Sequence, residues 1–165
     1  MKIKLSIIFL FTIAFHVCLG QQIDISKKSL KKLFKNTIDK YTFKGKWETT
    51  DDDSTYTTAD TIKLYNDTYY CPPSKTCCRI MNWHFINGHT FYLYGTYFCS
   101  EPPVNEIPSN NKFKIKIKNI DSQLYLRTYN IGKLINNFKI LGLKKVLLPN
   151  DEYACYQLTL VRVKK

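Results

Sequence analysis

Between Lys112 and Lys118 every second residue is apolar: Phe113, Ile115 and Ile117 alternate with Lys112, Lys114, Lys116 and Lys118. Strict alternation sends the two sets to opposite faces of a strand, so this segment predicts a strand with one apolar side and one lysine side. Weaker versions of the same signal, separated by turn residues, predict strands over much of the chain. Tyr41–Thr50 and Tyr56–Tyr65 flank the polar turn Asp51-Asp52-Asp53-Ser54. Arg79–Ile86 and His89–Phe98 flank Asn87-Gly88, a pair suited to a two-residue hairpin turn in which both positions need positive φ. That turn sets Trp83 opposite Tyr92 and Phe85 opposite Thr90, which puts Met81, Trp83, Phe85, Tyr92 and Tyr94 on one face. Gln123–Tyr129 returns from a turn at Asn119–Ser122, and Tyr153–Val163 forms a final strand.

Helical spacing is found in two places. Over 26–40, Ser26 can cap a helix whose one face carries Leu30, Leu33, Phe34 and Ile38, while Lys27, Lys28, Lys31, Lys32 and Lys35 fill the other. Such a helix either docks its stripe on the domain or lies on an anionic membrane. The stripe is narrow and lacks Trp, which favours docking. Residues 133–147 read both ways: Leu134, Ile135, Phe138 and Leu141 fit a helical stripe, whereas Gly142 weakens a continuous helix. No internal repeat or linker divides the chain.

The amino terminus changes the picture. Lys2 and Lys4 precede a mostly apolar run from Leu5 to Phe15, which ends at Cys18-Leu19-Gly20. A charged start, a short apolar stretch and a small residue at its end describe a signal peptide over 1–20. The run is shorter than the roughly 20 apolar residues of a membrane span. Residues 21–165 are then expected to form a single secreted, extracellular domain with no integral membrane segment.

Composition agrees with a folded, strand-rich domain: twelve Tyr and ten Phe against six Gly and six Pro. The net charge is +12, of which Lys2 and Lys4 supply two. A balance this basic attracts acidic partners, and it also serves plain solubility. Cys18 leaves with the signal, so Cys71, Cys77, Cys78, Cys99 and Cys155 remain as disulfide candidates in an oxidising compartment. An odd number cannot all pair internally. The adjacent Cys77 and Cys78 should reach different partners, and the connectivity stays open. Asn66-Asp67-Thr68 is a glycosylation sequon that, if used, puts Asn66 on the surface.

Catalytic chemistry is not apparent, and the chain is read as a non-enzyme without cofactor or metal. It has no Gly-x-Ser-x-Gly elbow and no phosphate loop. His84 and His89, diagonal neighbours in the expected hairpin, are too few for a zinc site. Asp51-Asp52-Asp53 lacks the glycine and closing glutamate of an EF-hand loop and reads as a solvated tip. The lysine row 112–118 is the best candidate for a partner site. Its side chains repeat at about 6.6 Å, a spacing that can track a sulfated polysaccharide or a phosphate backbone. The alternative is protection of a strand edge. Nucleic acid is disfavoured, because bases stack on exposed rings and Phe113 points inward.

A helix, then Phe43-Lys44-Gly45-Lys46-Trp47 opening the first of about eight strands, then a possible late helix and a closing strand: this order resembles the lipocalins, through their Gly-x-Trp motif. Antiparallel strands with alternating faces must also manage their edges, which closure into a barrel does. The resemblance implies a mainly β fold, a single antiparallel lipocalin-like barrel with an N-terminal helix and a possible C-terminal helix. Gly45 and Trp47 would sit at its closed base, with Arg162 packed over the indole. The loop at Asp51–Asp53 would border the mouth as an acidic lip. Trp83, Phe85, Tyr92 and Tyr94 would then wall a cavity for a small apolar or amphipathic ligand that the protein sequesters or carries. The competing reading is a secreted basic effector or toxin-like protein that binds polyanions, an acidic polysaccharide among them, or a host protein through its surface.

Overall fold

Eleven elements make up the residues that the computed structural model describes, namely 23, 25–36, 46–51, 55–66, 78–147 and 154–164. They are helix α1 (Lys27–Asn36), β1 (Lys46–Thr50), the short helix α2 (Thr55–Thr58), β2 (Thr61–Asn66), β3 (Arg79–Asn87) and β4 (Thr90–Tyr97). Then follow β5 (Val104–Glu106), β6 (Lys112–Ile120), β7 (Gln123–Asn130), β8 (Lys133–Leu147) and β9 (Ala154–Arg162). The expected signal over 1–20, Gly45, Cys71 and Cys77 lie outside the described residues.

The strands pair antiparallel in the order β3-β1-β2-β9-β8-β7-β6-β4-β5, and β3 also pairs with β4. That last pairing closes eight strands into a barrel and leaves β5 as an addition on β4. The mainly β, closed antiparallel barrel expected from the alternating pattern is what the chain forms. Its strand order departs from a sequential up-and-down ring in one place. β1 lies between β2 and β3, so the seam to the last strand is made by β2, with Thr61 opposite Val161 and Leu64 opposite Leu158.

Both barrel ends are stoppered. Ser26 caps α1, its Oγ accepting from the backbone N–H of Ser29 at 3.0 Å, while Ser29 Oγ accepts from the N–H of Ser26 at 2.8 Å. The helix buries Leu30 and Phe34 completely at the β3–β4 turn, so the amphipathic helix docks on the domain. Phe34 stacks on Phe85 at 4.6 Å and meets the edge of Trp47 at 5.5 Å. At the opposite end α2 inserts Tyr56, whose hydroxyl accepts from the indole N–H of Trp83 at 3.0 Å. Between the stoppers, Trp83 stacks on Phe91 at 4.4 Å, and Phe91 continues to Phe113 at 5.4 Å. Rings of this size in contact are dense packing, the usual state of a protein interior.

The structure settles one open alternative, corrects the possible late helix to strand, and corrects the hairpin register. Residues 133–147 are strand throughout, the single 15-residue β8. Register shifts opposite Thr128/Tyr129 and at Ile140/Gly142 leave Ile135 and Leu141 as bulged residues, and both are exposed. The bulges break the period of two and leave gaps of three that imitate a helical stripe. In the β3–β4 hairpin, Asn87 pairs with Thr90, so Gly88 and His89 form the turn, and Ile86 is bulged. Phe85 therefore faces Phe91, Trp83 faces Leu93 and His84 faces Tyr92. A slip of one residue reverses the faces. Trp83 and Phe85 point into the barrel, while Tyr92 and Tyr94 share the outer face with His84.

Candidate functional site

The lysines of β6 stand where the alternation sends them. Ile115 and Ile117 are buried, and Lys112, Lys114, Lys116 and Lys118 are exposed on the outer face. β4 begins at Thr90, opposite Lys114, and Ile115 N–H still donates to His89 O at 2.8 Å. Beyond that point β6 runs on along β7 alone. Ladder groups alternate sides, so the backbone N–H and C=O of Ile117 and Asn119 point past the end of β4.

Helix α1 fills part of that gap. Its approach is fixed by Gly88, where a Cβ would come within 3.3 Å of Lys31 O and 3.4 Å of Lys35 Cβ. Only a residue without a side chain fits there without a shift. Between α1 and β6 lies an open groove of about 700 Å³. Lys27, Lys31 and Lys35, spaced four apart on one helix face, line one side. Lys114, Lys116 and Lys118 line the other, over a floor that includes Ile115 and Ile117. Each lysine run was legible in the sequence. That the two line one groove was not, since only the tertiary fold brings them together.

The outer face beside the groove carries rings among the cations. Across the strands, Lys46, His84, Tyr92 and Lys112 form one register row. On β7, Tyr129, Arg127 and Tyr125 lie opposite Lys114, Lys116 and Lys118 respectively. Lys116 Nζ is 5.0 Å from the Tyr129 ring centroid, and Lys46 Nζ is 5.7 Å from that of Tyr94. His84, Ile86, Tyr92, Tyr94, Ile107 and Asn111 line a shallow cleft of about 380 Å³. Partial burial, and then the charge of Lys46, holds the His84 imidazole below its ordinary pKa. His89 sits in the hairpin turn, so the two histidines are not the diagonal pair expected on one strand face.

The remaining candidates fall as follows. Trp47 is completely buried, and its indole N–H has no hydrogen-bond partner among the described residues. Arg162 lies over Phe138, with its guanidinium carbon 5.0 Å from that ring centroid, and donates to Tyr56 O at 2.7 Å and to Asn136 Oδ1. Asp51 is no part of a solvated tip. It is 2% exposed, 3.0 Å from Arg79 Nη1, and accepts from Tyr56 N–H at 2.6 Å. Asp52 and Asp53 lie outside the described residues. Cys78 and Cys99 form a disulfide, and Cys155 is buried in β9. Asn66 is half-buried opposite Trp47, with its Oδ1 accepting from Tyr156 N–H, and the rest of its sequon lies outside the described residues. Among the described residues no group of three or more His, Cys, Asp or Glu side chains could hold a metal ion, and no helix is long and apolar enough to cross a membrane.

The fold and the site together define a disulfide-bearing β-barrel with a basic groove on its outside. No protein-family model, curated protein or solved structure matches the chain.

Proposed function

We propose that the protein is an exported β-barrel that binds an anionic polymer in the groove between α1 and β6. One observation carries this reading: six lysines from two elements distant in sequence line one open groove. Like charges brought together this way repel, at a cost in stability that a bound polyanion relieves. The Cys78–Cys99 disulfide supports export, because such bonds persist in oxidising compartments. Carriage of a small ligand inside the barrel has less support. Of the four residues expected to wall a cavity, Trp83 and Phe85 are packed ring against ring, and Tyr92 and Tyr94 face outward.

Retention on immobilised heparin tests the proposal. A Lys31→Ala/Lys35→Ala/Lys116→Ala variant should elute at clearly lower salt than the wild type. A variant with the same charge loss outside the groove, Lys133→Ala/Lys139→Ala/Lys144→Ala, should elute near the wild-type position. Equal loss in both variants would mean that net charge alone governs retention, and the groove would have no special role.

A further inference from the structure

On the outer face, the lysine row of β6 is flanked by aromatic rings, from β4 on one side and β7 on the other. Lys112, Lys114, Lys116 and Lys118 repeat at about 6.6–6.8 Å. Tyr92 stands beside the first of them, Tyr129 beside the second and Tyr125 beside the fourth. All three tyrosines are half-buried, so each ring is held by its neighbours while part of it stays open to solvent. Neither β6 nor β7 contains an acidic residue. A sulfated polysaccharide needs the cations but has no aromatic ring of its own. A single-stranded polynucleotide uses both features, because its phosphates follow the charges and each base offers a flat face to a ring.

We infer that the anionic polymer is a single-stranded nucleic acid, with phosphates on the β6 lysine row and bases stacked on Tyr92, Tyr129 and Tyr125. The inference rests on the anionic-polymer reading above and names the polymer. The inward position of Phe113, which stacks on Phe91, does not weigh against it. The hairpin bulge at Ile86 supplies Tyr92 in place of Phe113, and β7 supplies the other two rings. Binding of this kind tolerates any sequence, since every base has a stacking face.

The test measures fluorescence anisotropy of a labelled oligothymidylate of about twelve nucleotides, beside an abasic phosphodiester chain of equal length and beside heparin retention. The wild type should bind the oligonucleotide more tightly than the abasic chain. With all four lysines on phosphates, the slope of log K against log salt should be about −3. Tyr92→Ala and Tyr129→Ala should each weaken oligonucleotide binding about tenfold, while Tyr→Phe at the same positions retains it and heparin retention stays unchanged. Heparin retention without oligonucleotide binding, or equal affinity for the abasic chain, overturns the nucleic-acid inference and leaves the groove reading standing. Failure to bind heparin, oligonucleotide and abasic chain alike overturns both.

Discussion

The indole N–H of Trp83 donates to the hydroxyl of Tyr56 at 3.0 Å in the barrel interior, with Trp83 completely buried. This bond ties helix α2 to the middle of β3. Tyr56→Phe removes the acceptor and leaves a buried N–H unsatisfied, at a cost of about 1–3 kcal/mol in urea unfolding. Trp47→Phe removes an N–H that has no partner among the described residues, so that substitution should cost only lost volume. Burial also pushes the Tyr56 hydroxyl pKa upward from its ordinary value near 10. The folded protein therefore favours the protonated phenol. The contribution is whole below about pH 10 and is lost as the pH rises beyond it, because the unfolded chain ionises first. Tyr56→Phe should flatten that alkaline decline, as measured by thermal unfolding between about pH 9 and 11.

Asp51 and Arg79 join the ends of β1 and β3 through two bonds: the ion pair at 3.0 Å and a backbone bond from Asp51 N–H to Arg79 O at 2.9 Å. Arg79 reaches on to Glu106 at 2.8 Å and lies 5.1 Å from the Tyr97 ring centroid. Asp51→Ala should destabilise by about 1.5–3 kcal/mol, the range for a hydrogen bond to a charged group. Glu106→Ala removes only the exposed end of the chain of charges and should cost under about 1 kcal/mol. Comparing the two urea midpoints checks the order.

Gly88 sets how closely α1 sits against the β3–β4 turn. Gly88→Val places methyl groups against Lys31 O and the Lys35 side chain and should cost about 1–3 kcal/mol through overpacking. Amide exchange of Leu30 and Phe34 should accelerate more than that of Leu126 or Leu158. Heparin elution should shift to lower salt as the lysines of α1 move away from β6.

The imidazole of His84 has a lowered pKa, so the folded state prefers it neutral. Its contribution to stability is present above the ordinary value near 6.5 and is lost as the pH falls through the folded value, because the unfolded chain takes up the proton first. Thermal unfolding between about pH 7.5 and 5 should show this acid decline, and His84→Gln should reduce it.

How far this was legible in the sequence depends on where the regular period breaks. The segment 112–118 has no bulge, and its faces follow directly from alternation. So does the docked face of α1, where Leu30 and Phe34 are the residues buried. The bulge at Ile86 is different, because nothing in Phe85-Ile86-Asn87-Gly88 distinguishes a turn at Asn87-Gly88 from one shifted by a residue. That single residue decides whether Tyr92 looks into the barrel or out of it. In β8 the bulges at Ile135 and Leu141 hide a strand behind helical spacing. The groove was illegible for another reason, since α1 and β6 are brought together only by the closed barrel.

Because β2, not β1, completes the ring against β9, one of the first strands in the chain must pair with the last. A chain released from its amino end must hold an unzipped flank of β2 ready while most of the remaining staves assemble. Pairing over so long a stretch of sequence slows folding and lengthens the time during which a bare edge can capture a second molecule. Lys63, which points outward from that flank, sets a charge in the path of such a mispairing.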